Sequence, residues 1–437
     1  MDRPFYPQKI FEFIPVLLPY LLVTFEIMLG TVMTGLVVGF FLAKGQLSKK
    51  VWAKGFSGFI INALRCTPSI VMLFIIFYGL PILFWGLFKI DINKWNKAVY
   101  VIISLGLLFS GSAAEIMRSS YLSVAKGQRE AGLTSGLTEA QTFRRIVLPQ
   151  AFVVSLPNLG NSLITLLKEG SLAYTIGLID VMGKGTTLIG IHQGAYAIET
   201  YIALAIIYWT LTIALEQLFK SLEKNFSKGS TSLAAGIVLG FFLALARVHK
   251  VKVLSKISAI YVSFFRGTPI VLQILVVYSV IPSVLNAYFK SIGSSINIFD
   301  LNPIVYAFIV FGLNNAAGLS EVFRSALLTV NKGQFEAGYT IGLTYWQIYR
   351  RIILPQALTV AIPNLCKAAV NLIKNTSLAF MMTVKDITAV AKIEAAPGYN
   401  YIEAYLDIFV IYIIVCTVVQ KLFKVWEKNA AAYKTAV

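Results

Sequence analysis

Long apolar runs constrain the fold of this chain more than any other feature of its sequence. Runs of about 20 residues, the length that a helix needs to cross a hydrocarbon core, recur along the chain. Of its 437 residues, 57% are hydrophobic and 13% are charged, whereas soluble domains have roughly half and a quarter. Because only helices and closed barrels satisfy the backbone in lipid, the sequence predicts an all-α, polytopic membrane protein.

The formal net charge of +18 has a simple explanation in such a protein. Lysines and arginines gather in short segments between apolar runs, as at Lys44, Lys49, Lys50 and Lys54, and short basic loops are typical of the cytoplasmic side. No basic patch with interleaved aromatic residues lies outside the predicted spans, so we do not expect nucleic-acid binding.

One polar, basic segment occurs twice. The first repeated segment covers residues 115–150 and the second covers 321–356; they align without a gap, and more than half of the aligned positions are identical. We expect spans near 14–43, 56–88, 98–117, 151–178, 201–219, 303–323, 358–380 and 401–423. This predicts two homologous five-helix halves, 1–228 and 229–437, with the second lacking most of its first helix.

The junction between these halves conflicts with the charge pattern. An odd number of spans would invert the second half, yet the basic residues place both repeated segments on the inside. The polar stretch 221–230 is too short to cross lipid with a bare backbone. We therefore expect the chain to be shortened or joined near 228–231, as in two subunits written as one.

Each repeated segment contains signals for two short helices. Gly136 and Gly342 allow a turn, after which Thr138 and Thr344 each begin a capping box with a glutamine three residues later. Pro149 and Pro355 are expected to end the second helix. A short, basic, capped helix is typical of docking into a groove on a partner protein. Resting on anionic lipid suits the same spacing, but the duplication and the glycines favour docking.

This motif resembles the loop signature of ABC importer permeases, E-A-x4-G-x9-I-x-L-P. The signature is matched from Glu130 to Pro149 and again from Glu336 to Pro355, with glycine as the third residue of the usual Glu-Ala-Ala. The resemblance implies that these loops couple the permease to ATPase subunits. The implied coupling residues are Glu130, Ala131, Gly132, Gly136, Thr138, Arg144, Arg145, Glu336, Ala337, Gly338, Gly342, Thr344, Arg350 and Arg351.

A second motif resembles that of the polar amino-acid permeases. The second half carries R-G-T-P-x-x-x-Q from Arg266 to Gln273, while the first half has Cys66 and Met72 at the positions of Gly267 and Gln273. The resemblance implies an ATP-driven importer in the bacterial plasma membrane, for a polar amino acid such as cystine. Two cytoplasmic ATPase subunits would bind the ATP and Mg, with no cofactor on this chain, and an extracytoplasmic amino-acid-binding protein would deliver the substrate.

Charged and aromatic residues within or beside the predicted spans are candidates for the substrate pathway. Lys168 and Lys374, which occupy equivalent positions in the two halves, could contact a substrate carboxylate. Snorkelling of their side chains to the membrane interface explains them as well. Tyr78 and Tyr278 lie toward the outer end of a span, where aromatic residues often mark the membrane interface. Asp180 and Asp386, at equivalent positions of the two halves, are expected to cap short helices. The pathway candidates are Tyr78, Lys168, Ser171, Tyr278, Lys374 and Ser377.

Other functions find less support in the sequence. The nearest P-loop lookalike, near Gly183-Lys184-Gly185-Thr186, has Leu178 where the motif needs glycine. No nucleophile–base constellation or metal-ligand spacing is present, so we expect neither catalysis nor a metal site. The alternative is a stand-alone secondary transporter or channel for small polar solutes, which needs no docking helix.

Overall fold

The computed structural model describes residues 5–135, 137–226, 252–292 and 297–432. All regular secondary structure in these ranges is helical, as α, 3₁₀ or π helix, and none of the described residues forms a strand. The first half contains α1 (Pro7–Leu17), α2 (Leu21–Gln46), α3 (Val51–Cys66), α4 (Ser69–Phe88), α5 (Lys97–Ser123), α6 (Lys126–Thr134), α7 (Glu139–Thr142), α8 (Leu148–Gly170), α9 (Val181–Ile191) and α10 (Ala197–Phe226).

The second half repeats most of this order. Its described helices are α11 (Lys252–Gly267), α12 (Ile270–Ser291), α13 (Pro303–Thr329), α14 (Lys332–Thr340), α15 (Tyr345–Ile348), α16 (Leu354–Thr376), α17 (Ile387–Ala395) and α18 (Tyr401–Ala432). Within the described residues, nine helical stretches are long and apolar enough to cross a membrane. This confirms the prediction of an all-α, polytopic membrane protein.

The predicted span at 56–88 is wrong in one respect, because it consists of two helices. Helix α3 ends at Cys66 and α4 begins at Ser69. Thr67 between them is extended, with φ −82° and ψ 131°, because a proline disfavours the helical conformation of the residue before it. The chain therefore breaks at Thr67-Pro68.

Two further spans are longer than predicted. The expected spans at 98–117 and 303–323 continue to Ser123 in α5 and to Thr329 in α13. Each repeated segment therefore begins inside a long helix rather than in a loop. A partly buried ion pair lies near the C-terminal end of each helix, Arg118 with Glu115 and Arg324 with Glu321, and pairs at this spacing stabilise a helix.

The described chain forms two compact units. The first comprises Met1–Lys228 and Ile387–Ile413. Within it, α2 packs closely along α5: a Cβ atom at Gly35 would lie 2.5 Å from Phe109 Cδ1, and one at Gly39 would lie 2.9 Å from Ala113 Cβ. Glycines four residues apart let membrane helices approach in this way.

The second unit comprises Gly229–Asp386 and Ile414–Val437. Its core includes an apolar cluster between α13 and α16, in which Phe323, Ala326, Ile353 and Ala361 are buried. The predicted junction at 228–231 lies outside the described residues, so its nature and the boundary between the halves stay predictions.

Candidate functional site

The two repeated segments fold alike, each as a short helix followed by a turn and the start of a long helix. In the first, α6 is followed by α7; in the second, α14 is followed by α15. The acidic and basic side chains of both signatures are exposed: Glu130, Arg144, Arg145, Glu336, Arg350 and Arg351. Their exposure leaves them available to a partner.

The glycine of each Glu-Ala-Gly triplet is the contact between the two helices of its segment. A Cβ atom at Gly132 would lie 2.7 Å from Thr142 Cγ2 and 2.8 Å from Ile146 Cδ1; one at Gly338 would lie 2.9 Å from Ile348 Cγ1. Both glycines are buried. The departure from the family's usual alanine is therefore explained by the close approach of the second helix.

The turn and the caps follow the prediction where the structure describes them. Gly342 has a φ of 79°, a left-handed conformation that favours glycine; Gly136 lies outside the described residues. Both capping boxes are present: the Thr138 N–H donates to Gln141 Oε1 at 2.9 Å, and the Thr344 N–H donates to Gln347 Oε1 at 2.9 Å. Each box fixes the start of the second helix.

The prediction that Pro149 and Pro355 end this helix is wrong. The helix continues from α7 through a π turn (Phe143–Val147) into α8, and from α15 through a π turn (Tyr349–Ile353) into α16. The N–H of Leu148 reaches back to the Phe143 carbonyl. The wider π turn shifts the main-chain hydrogen bonds just before Pro149 or Pro355, which has no N–H to donate. The helix can therefore continue through the proline. The short helix that begins at each capping box and the long apolar helix that follows are thus one continuous element.

The two segments differ in the pair of side chains that links their helices. In the first, Arg129 forms an ion pair with Glu139, with Nε 3.1 Å from Oε2. In the second, the equivalent residues are Phe335 and Tyr345, whose rings meet edge to face with centroids 5.3 Å apart. The same two positions are therefore joined by charge in one half and by aromatic contact in the other.

A family model of known proteins matches both halves of the chain. The family is described as the binding-protein-dependent transport system inner membrane component, and it matches residues 35–228 and 236–429. The chain belongs to this permease family. It is therefore a transport component that acts with ATPase and binding-protein partners.

Two relatives of this permease come from Bacillus subtilis, and each aligns with about half of this chain. The permease is 40% identical over 233 residues to the L-cystine transport system permease protein TcyL of Bacillus subtilis, covering 53% of this chain and 96% of the relative. It is 37% identical over 202 residues to the probable amino-acid ABC transporter permease protein YckA of the same organism, covering 46% of this chain and 84% of the relative.

A relative from another genus and one solved structure are also similar. The putative glutamine transport system permease protein GlnP of Rickettsia prowazekii is 35% identical over 194 residues, covering 44% of this chain and 84% of the relative. The solved structure, "Crystal structure of an amino acid ABC transporter with histidines", is 27% identical with a TM-score of 0.44, covering 52% of this chain and all of that chain.

Tyr78, one of the predicted pathway residues of the permease, has close aromatic neighbours and borders a cavity. It stacks on Tyr401 and Tyr405 of α18, with ring centroids 5.4 and 6.3 Å apart, all within the first unit. It also borders an open surface cavity of about 480 Å³. The cavity is lined by Phe77, Tyr78, Pro81, Ile82, Trp85, Asn93 and Tyr100.

Tyr278 aligns with Phe77 of the first half, one residue before Tyr78, and has different neighbours from Tyr78 within the second unit. Its hydroxyl shares a hydrogen bond of 3.1 Å with Thr383 Oγ1, and its ring meets that of Tyr306 edge to face. The structure therefore does not give the two tyrosines the same surroundings, and contact of either with substrate stays a prediction.

The matched serines next to the pathway lysines have a local structural role. Ser171 and Ser377 are buried, and each hydroxyl donates to a main-chain carbonyl three residues earlier, that of Lys168 or Lys374, at 2.6 Å. Both lysine side chains are half-buried. Substrate contact by these four residues stays a prediction.

Asp180 caps α9, as predicted. The Gly183 N–H donates to Asp180 Oδ1 at 2.8 Å, the geometry of an N-cap. Asp180 is buried, and burial raises the pKa of its carboxyl to about 7 in spite of hydrogen bonds from main-chain N–H groups. In the described part of the chain, no group of three or more His, Cys, Asp or Glu side chains is placed to hold a metal ion.

Sequence reasoning missed a buried polar network in the second half. Asn314 Nδ2 donates to Gln273 Oε1 at 2.9 Å, and Gln273 Nε2 donates to Thr268 Oγ1 at 2.8 Å. The network bridges α13 to the break before α12. In the first half the equivalent residues, Met72 and Leu108, are both apolar and buried. In an alignment of the two halves, both positions are polar in the second half and apolar in the first. That joint difference could have indicated that the two residues are in contact.

Proposed function

We propose that this chain is the membrane component of an ATP-driven importer for a polar amino acid, with cystine as the first substrate to test. The repeated segments would face the cytoplasm of a bacterial cell, and each would dock one ATPase subunit. The ATPases would bind ATP and Mg, while an extracytoplasmic binding protein delivers the amino acid. The similarity to the L-cystine permease TcyL and to the probable amino-acid permease YckA supports the substrate class.

The observation that carries this proposal is the paired docking element. Both halves combine a buried glycine contact, a capping box and an exposed acidic residue in the same order. A stand-alone transporter has no need for two such elements. No observation in the described residues favours that alternative.

The continuity of the docking helix suggests how ATP hydrolysis would act on the pore. The stretch Glu139–Ile176 is one helical element, and its 38 residues are about 57 Å long at 1.5 Å per residue. A displacement of its docked end would reach the membrane without crossing a loop. The π turn at Phe143–Val147 lies between the docking end and the membrane part of this element. Such turns inside α-helices are frequent at functional sites.

Pathway roles follow from the same proposal. We assign Tyr78 to the pathway because it borders the cavity. We retain Lys168, Ser171, Lys374 and Ser377 because they recur in both halves, and Tyr278 because it lies toward the outer end of the corresponding span. A Tyr78→Ala variant should change the KM for the amino acid more than a Trp85→Phe variant at the cavity rim.

Reconstitution tests the function. The chain would be placed in proteoliposomes with its ATPase and binding protein, and uptake of labelled cystine measured with ATP inside. We expect uptake to need all three proteins and ATP, and a panel of unlabelled amino acids to rank competitors. Uptake by the chain alone would contradict the proposal.

A further inference from the structure

The second repeated segment ends in a cluster of large apolar side chains that we call the aromatic tip. Its members are Tyr339 on α14, Ile341 in the turn, and Tyr345 and Trp346 on α15. Their exposed fractions are 69%, 74%, 50% and 67%. The cluster continues inward through Phe335 and Tyr349. The rings of these two residues contact each other, and each also contacts the ring of Tyr345.

The aromatic tip lies beyond the hydrocarbon core. Residues 354–373 of α16 already supply the roughly 20 residues that a crossing helix needs. Trp346 precedes them by eight residues, about 12 Å along the helix. The exposed Arg350 and Arg351 lie between, at the level where cations meet headgroups. The tip is therefore surrounded by water unless another molecule covers it.

The first repeated segment has no such cluster. At the positions of Tyr339, Ile341, Tyr345 and Trp346 it carries Leu133, Ser135, Glu139 and Ala140. Glu139 is used in the ion pair with Arg129. Two surfaces with the same backbone geometry and the same signature thus offer different chemistry, one polar and one aromatic.

We propose that the two docking surfaces are unequal, and that the second binds its ATPase subunit more tightly through the aromatic tip. This inference rests on the proposed function. The tip is continuous with the Glu-Ala-Gly helix and capping box that form the docking element, so the occupant is the ATPase rather than a separate partner. Clustered apolar side chains in water mark interfaces, and Trp and Tyr contribute the most when they enter a partner's pocket.

The inequality has a measurable size and a salt signature. Burial of one aromatic anchor changes affinity by at least about tenfold, so the two sites should differ by that factor or more. Binding at the first segment should weaken with added salt because it depends on exposed charges. Binding at the second, which exposes the same signature charges, should weaken less because the apolar contacts of the aromatic tip do not depend on salt. The importer would therefore hold one ATPase firmly while the other exchanges.

Titration of the full chain in nanodiscs tests this inference. The probe is the ATPase subunit that supports uptake by this chain, without nucleotide, and native mass spectrometry counts the subunits bound. We expect two steps with dissociation constants at least about tenfold apart. Ile341→Ser with Trp346→Ala installs the first segment's residues and should bring the tighter step to the weaker one. The matched control, Ser135→Ile with Ala140→Trp, should tighten the weaker step.

The outcomes are distinguishable. If no ATPase binds the wild-type chain, the proposed function itself fails. If two subunits bind equally, or the paired variants leave both steps unchanged, only this inference is overturned. An effect that vanishes when nanodiscs are replaced by detergent would assign the tip to the lipid surface, which also overturns it. Should the double variant unfold, Tyr339→Leu, the residue of the first segment, gives the same test with one smaller change.

Discussion

The two halves use the same backbone geometry but fill equivalent positions with different chemistry. Arg129 and Glu139 form an ion pair where Phe335 and Tyr345 form a ring contact. The buried Gln273 is bonded to Asn314 in the second half, where the first half has the apolar Met72 and Leu108. In each of these two contacts both partners differ between the halves, whereas the glycine contact and the capping boxes are common to both halves.

The largest expected effect comes from breaking the buried amide pair. Asn314→Leu would leave the Oε1 atom of Gln273 without its donor in a buried site, which costs about 1–3 kcal/mol. The apparent unfolding midpoint in detergent should fall. Adding Gln273→Met, which completes the first-half pair, should recover most of the loss. A double variant no more stable than Asn314→Leu alone would refute the pairwise explanation.

The glycine contact should be the next most sensitive. Gly132→Ala places a Cβ atom against Thr142, a short and stiff side chain, whereas Gly338→Ala meets Ile348 at a slightly longer distance. Overpacking typically costs about 1–3 kcal/mol, and we expect the larger loss for Gly132→Ala. ATPase binding in nanodiscs and the unfolding midpoint should report the same order. The reverse order would show that the geometry of this contact does not control the docking element.

The capping boxes provide an internal control because they are alike in both halves. Thr138→Ala and Thr344→Ala should each cost about 1 kcal/mol, with equal losses in the unfolding midpoint. The conservative Thr→Ser changes should cost much less, since serine keeps the cap. Unequal losses would mean that the ion pair or the ring contact supports the start of the helix to different degrees.

How far the sequence predicted this protein depends on the range of each interaction. The spans, Gly342 and the capping boxes were predictable because their signals lie within a few residues. The continuity through Pro149 was not, because the π turn that permits it has no simple pattern. The pairing of Asn314 with Gln273 joins residues far apart in the chain, so only the fold, or a comparison of the two halves, could reveal it.

The smallest effect distinguishes charge from aromatic contact directly. Glu139→Gln removes one charge from an exposed ion pair, so its cost should be at most about 1 kcal/mol. That cost should disappear near 1 M salt, where the Debye length is about 3 Å. Phe335→Leu in the second half weakens a ring contact instead, and its cost should be the same at both salt concentrations. The two halves therefore predict a salt-dependent cost at one pair of positions and a salt-independent cost at the equivalent pair. A salt-independent Glu139→Gln would show that the ion pair contributes nothing to the first segment.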